Sequence, residues 1–292
     1  MIPVWQLFTA SVRGASHIAV SLPNQDAVGS RGDLTAPERG AAVAVADGHG
    51  DPHHFRSARG SRFAVEVACD LSMRFVVQPG DGEGAAPFRD ATAESVQQTL
   101  AAELVPAVVE AWRTAVAEDL RREPLTAREL ETTGGDPLMA YGSTLLFTAL
   151  TRRWALLAQI GDGDLLAIEA DGRAITPLPP DPWVRGRFTT SLCQEDPLAS
   201  FRAAVLDLER LRLGFLLLAT DGFGNSQVQS PWYQPFATDL TQLAAARGLA
   251  WVGENLPDWA ARCASTEGSG DDTTLALLAA GDALPPPHSA EG

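Results

Sequence analysis

Apolar residues fall in short runs at 41 to 46 (AAVAVA), 143 to 150 (STLLFTAL), 154 to 160 (WALLAQI), 214 to 219 (GFLLLA) and 273 to 280 (TTLALLAA). Each has the length of a strand and is bounded by Gly, Asp or Thr, which predicts sheet strands. The two-residue break Thr151-Arg152 predicts an antiparallel hairpin between the second and third runs, leading to a further strand at 164 to 169. Two longer segments, 56 to 76 and 92 to 122, have helical spacing. In the second, Val96, Leu100, Leu104, Val108, Ala111, Ala115 and Leu120 share one face, and Glu, Gln and Arg fill the other. A third helical stretch, 238 to 264, contains Gly253 and Pro257, which are expected to break or bend it.

The order is therefore strand, two helices, several strands, helix, strand. No Pro- or Ser-rich linker divides the chain, which predicts one domain over residues 1–283 and a disordered tail, 284–292. Residues 78 to 90 and 177 to 200 read as surface loops, the second long enough to flank a site.

Composition narrows the class. A hydrophobic fraction of 45% and a charged fraction of 20% are those of an ordinary globular chain, and no apolar run approaches the roughly 18 residues of a membrane span. The first residues lack the pattern of a signal peptide, so a cytoplasmic protein is expected. A net charge of −15 argues against nucleic acid or an anionic membrane as partner. Cys69, Cys193 and Cys263 form no CxxC pair, so neither a disulfide framework nor a zinc site is expected.

The chemistry lies at the strand ends. Asp47, Asp162 and Asp221 each follow an apolar run, and Asp271 and Asp272 open the last one. Singly, an Asp-Gly after a strand is a turn signal. Together, these residues would crowd several carboxylates into one partly buried place, where like charges repel unless a cation neutralises them. An all-oxygen donor set predicts a hard ion, magnesium or manganese, before zinc or copper.

The pieces NQDA (24–27), DGHG (47–50), GST (142–144), GDGD (161–164), TDG (220–222) and DDTT (271–274) occur in one order along the chain. In them the sequence resembles the type 2C, metal-dependent serine/threonine protein phosphatase family, bacterial-like, from Gly14 to Leu278. The resemblance implies an α+β fold, a four-layer α-β-β-α sandwich of two mainly antiparallel sheets flanked by helices. It implies that Asp47 bridges two Mg2+ or Mn2+ ions, that the Gly48 carbonyl completes one, and that Asp221 and Asp271, rather than Asp272, hold the second. Asp26 would orient the attacking water, Asp162 would join Asp221 on a third, weaker ion, and His49 would protonate the leaving alkoxide. The implied partner is a phosphorylated protein with a cognate serine/threonine kinase, met by a monomeric enzyme.

Two positions depart from the family pattern. Ser21 stands where many members carry a phosphate-gripping arginine, with His17 or Arg13 as substitutes. Gln25 replaces a frequent acidic residue, which predicts weaker metal binding. Within the loop 186 to 202, Thr189, Thr190 and Ser191 are candidate substrate contacts. Two other functions stay open on these residues: a pseudophosphatase serving as a regulatory phosphoprotein-binding module, and a hydrolase of some other phosphoester.

Overall fold

A computed structural model describes residues 4–36, 39–77, 88, 90–183 and 189–281. Phe88 and Asp90 apart, the expected loop at 78 to 90 lies outside these residues, as does the expected tail, 284–292.

In chain order the elements are β1 (Trp5–Val12), α1 (Ala15–Ala19), β2 (Ala27–Gly32), β3 (Ala41–Ala46), α2 (Ser57–Val76), α3 (Ala93–Thr99), α4 (Val105–Arg122) and α5 (Ala127–Thr132). They continue with β4 (Leu145–Leu150), β5 (Trp154–Ile160), β6 (Asp164–Glu169), β7 (Ala174–Ile175), β8 (Arg202–Asp207), β9 (Leu213–Ala219), α6 (Asp221–Gly224), α7 (Tyr233–Arg247), α8 (Leu249–Cys263) and β10 (Thr273–Ala280). Among the described residues the strands form two antiparallel sheets, ordered β1-β10-β9-β6-β7 and β2-β3-β4-β5-β8.

The pleat explains why the central strands read as unbroken apolar runs. In β3, Ala42, Ala44 and Ala46 face the core shared with α2 and α4, while Ala41, Val43 and Val45 face the other sheet. In β10, Leu275, Leu277 and Ala279 meet α7 and α8, while Ala276, Leu278 and Ala280 point inward between the sheets. Both faces of each strand are covered, so the usual alternation of apolar and polar residues disappears. The outcome is the expected α+β sandwich, with helices outside and two packed sheets inside.

The helices bear out the expected 56–76 and 92–122 segments, with one feature added. α3 passes through a π-helical turn, Leu100–Leu104, into α4. Pro106 lies at the head of α4 and has no N–H for the regular ladder, which fits a widened turn at that place.

The third helical stretch differs from expectation. It is two helices, parted at Gly248, whose φ of 86° and ψ of 162° end α7 and start α8. Gly253 and Pro257 both lie inside α8. Gly253 is there for contact: a Cβ would overlap the Phe8 ring of β1. The β4–β5 turn also holds three residues, Thr151 to Arg153, rather than two.

Gly60, in α2, has a similar reason. A Cβ there would overlap the Tyr141 carbonyl oxygen, and the Gly60 carbonyl accepts the Trp112 indole N–H at 3.0 Å. In an exposed helix Gly→Ala stabilises by about 1 kcal/mol. Here the sign is expected to reverse, with Gly60→Ala losing about 1–3 kcal/mol in urea unfolding through overpacking. A gain in stability would contradict this packing.

Candidate active site

Antiparallel pairing brings the acidic strand ends to one end of the sandwich. Ala46, the last residue of β3, pairs with Ala27, the first of β2, so Asp47 and Asp26 are neighbours. Ala219, the last of β9, pairs with both Asp164 and Leu275, which places Asp221 beside the starts of β6 and β10. Asp162 stands on the turn between β5 and β6.

Burial raises the Asp47 carboxyl well above the usual carboxylate range, and the charges of Asp26, Asp221 and Asp271 push it further. The Asp47 and Asp221 carboxyls are close enough that each shifts the other's proton affinity. Asp221 is raised to about 6, first by burial and then by Asp162, while Asn225 Nδ2 donates to its Oδ2 at 2.9 Å. Asp26 is raised well above its ordinary value by burial, against the pull of the Thr220 hydroxyl, which donates to Oδ2 at 2.8 Å. Asp162 is raised by burial and partly offset by Thr189. Such a cluster holds either protons or a cation.

Two observations fit a hard cation. Asp26 Oδ1 and Asp221 Oδ1 are buried without hydrogen-bond partners, and every candidate donor is an oxygen. Gly48 leaves its neighbourhood to backbone: a Cβ there would come within 2.5 Å of the Gln25 carbonyl. Among the described residues, however, no trio of His, Cys, Asp or Glu side chains already stands at ligating distance around one point.

His49 follows Gly48, its backbone N–H donating to the Gly142 carbonyl at 3.2 Å. Its ring meets His54 edge-on, with centroids 4.8 Å apart. Burial, then His54, push the imidazole down to about 4, so the ring is neutral at pH 7. A phosphate dianion beside it would favour the charged form.

The candidate phosphate-gripping residues differ in exposure. Ser21 is exposed, with φ of 60°, and Arg13 is exposed, its Nη1 donating to the Leu22 carbonyl at 3.4 Å. His17 is buried against Asp272. Gln25 is buried too, its Nε2 donating to the Ser57 hydroxyl.

The loop residues need correcting. Thr190 and Ser191 are buried anchors: the Thr190 hydroxyl donates to Asp181 Oδ2 and accepts the Gly161 N–H, and the Ser191 hydroxyl accepts the Ser143 N–H. They pin the loop to the site's rim, so their hydroxyls are committed.

Two acidic residues gain roles that spacing did not show. Asp164 is raised to about 7, chiefly by burial, and accepts the Tyr233 hydroxyl at 2.9 Å. Asp272, 2% exposed, accepts the N–H groups of Gly14 and Gln25 at 2.6 Å each. Adjacent acidic pairs in sequence do not reveal which member turns inward; burial does.

Comparison with known proteins bears on the family and the fold. A family model described as Protein phosphatase 2C matches residues 13–259. Serine/threonine phosphatase Stp1 from Staphylococcus aureus is similar in structure, with TM-score 0.58 and 14% identity over 96% of this chain and 95% of that one. PppA, a regulatory component of T6SS in Pseudomonas aeruginosa, gives TM-score 0.55 and 20% identity over 96% and 99%. The Mycobacterium tuberculosis serine/threonine phosphatase PstP/Ppp gives 0.51 and 18% over 94% and 98%. None of the curated proteins compared with the chain matches it.

Proposed function

Because the chain belongs to the protein phosphatase 2C family and is on that ground a serine/threonine protein phosphatase, we propose that the acidic cluster is its metal-dependent catalytic centre. The observation that carries this reading is the burial of mutually repelling Asp26, Asp47 and Asp221 with two carboxylate oxygens left unpartnered. Asp47, the Gly48 carbonyl, Asp221 and Asp271 would hold two magnesium or manganese ions, and Asp162 with Asp221 a third. When bound, the cations lower the pKa of a water and neutralise phosphoryl oxygens.

The chain's own residues do the rest. Asp26, held by the Thr220 hydroxyl, orients the attacking water towards phosphorus. His49 gives a proton to the departing serine or threonine alkoxide, its charged form favoured by the substrate's own negative charge. With an uncharged serine at position 21, the phosphate's remaining charge would fall to the metals.

The substrate is a phosphorylated protein, and its partner kinase is a serine/threonine kinase. No helix of the described residues is long and apolar enough to cross a membrane, and a monomeric cytoplasmic enzyme fits that composition. The pairing of β1 with β10 supports one catalytic unit over residues 1–283.

The acid role is tested by leaving-group dependence. Wild type should release phosphate from a phosphothreonine peptide and from para-nitrophenyl phosphate, whose phenolate needs little protonation. His49→Ala is expected to slow the peptide by about 10²–10⁴-fold and the aryl phosphate much less. Equal losses would remove His49 from this role; no peptide hydrolysis by the wild type would sink the proposal.

A further inference from the structure

α1 is bound tightly to the turn that carries Asp271. The Ala15 N–H donates to the Ala264 carbonyl at 2.8 Å, and the Ser16 N–H and hydroxyl both reach the Gly270 carbonyl, at 2.9 and 2.7 Å. Gly14 lies so close to Asp271 that a Cβ would overlap its backbone. This stitching presents His17, 8% exposed, with Nδ1 2.8 Å from Asp272 Oδ2. Asp272 already accepts two backbone N–H groups, so it takes the imidazole as a third donor. In the neutral ring that assigns the proton to Nδ1 and leaves Nε2 as an acceptor.

Among the described residues Nε2 has no hydrogen-bond partner; it stands 3.8 Å from Asp271 Oδ1. A Cβ on Gly50 would lie 3.1 Å from Nε2 and 3.7 Å from Gln25 Oε1. That Gln25 oxygen is buried and unpartnered, on a residue only 4% exposed. Two acceptors, His17 Nε2 and Gln25 Oε1, thus meet at one place beside Gly50, and Asp271 Oδ1, which accepts the Asp272 N–H at 2.9 Å, stands 3.8 Å from Nε2. Acceptors gathered in this way need a hydrogen donor or a cation between them. A carboxylate holding the far nitrogen of an imidazole is the arrangement that orients metal-ligating histidines.

We propose that His17 Nε2 is a nitrogen ligand of the cation held by Asp271, with Asp272 as its positioning residue. The proposal rests on the metal-dependent reading above. An imidazole donor favours manganese over magnesium, because softer nitrogen ligands suit transition ions and carboxylate oxygens suit magnesium. His17 therefore sets metal preference as well as affinity.

The test uses the full chain loaded with manganese and electron spin-echo modulation to detect ligand nitrogen. The wild type should show an imidazole 14N pattern that persists in His49→Ala, disappears in His17→Gln, and changes to a 15N pattern when histidine is isotopically labelled. The labelled wild type needs no variant to fold. Calorimetry should show manganese bound about 10–100-fold more weakly by His17→Gln and by Asp272→Asn, with a narrower preference over magnesium. Manganese bound normally without nitrogen coupling, or with coupling that survives His17→Gln, would overturn the proposal and leave the metal reading standing. A wild type that binds no manganese would overturn both.

Discussion

Asp47→Asn is expected to lower kcat by about a hundredfold or more while leaving the fold intact. Asp47 is the carboxyl nearest in charge to Asp26, Asp221 and Asp271, and would be shared between two cations. Asparagine keeps the size and removes the charge. In chelator, where Asp26, Asp221 and Asp271 only repel Asp47, the variant should melt at or above the wild-type temperature. With manganese, the wild type should gain more stability than the variant. Near-wild-type turnover would remove Asp47 from the centre, and a collapsed melt in chelator would show that its role is structural.

A second large effect is expected in the pH dependence of stability. Burial raises Asp221 to about 6 and Asp164 to about 7, against an unfolded value of 3.8. Each folded-state carboxyl therefore binds its proton more tightly than the unfolded chain does. The stability contributed is full below pH about 4 and is lost as pH rises through 6 for Asp221 and through 7 for Asp164. Asp26 and Asp47, raised in the same direction, add to the loss. Exposed Asp33 and Asp51 are shifted the other way, but solvent screening keeps such contributions small.

A bound cation reverses this loss because it needs the charged carboxylates. At a hundred times its dissociation constant it would stabilise by about 2.7 kcal/mol, worth roughly 4–5 °C in Tm for a chain of this size. Scanning melts in chelator and in manganese from pH 4 to 8 should therefore give a difference that grows with pH. A difference that stays flat would mean that the acidic cluster does not hold the ion.

Much of the fold was legible because the central strands are covered on both faces, which turns β3, β5 and β10 into uninterrupted apolar runs. The edge and near-edge strands were not. β2, AVGSRG, has two glycines, a serine and an arginine, and its side chains are half-buried or exposed. β8, RAAVLD, alternates weakly and was not among the expected strands. The α7–α8 break was misplaced because Gly253 and Pro257 are stronger local signals than Gly248, whereas tertiary contact with Phe8 decides the matter. At the site, six short motifs in order pointed to the carboxylates. Spacing could not show that Asp272 and His17 pair, that Thr190 and Ser191 serve as anchors, or that burial leaves His49 neutral at pH 7. Each of these depends on contacts between residues distant in the chain.

The decisive measurement is phosphate release from a phosphothreonine peptide by the purified chain in manganese, in magnesium and in chelator. A metal-dependent phosphatase built on Asp47, Asp221 and Asp271 predicts release with either ion and none in chelator. Release that persists in chelator would contradict the metal centre. Manganese binding without release in any condition would contradict catalysis and leave a phosphoprotein-binding module.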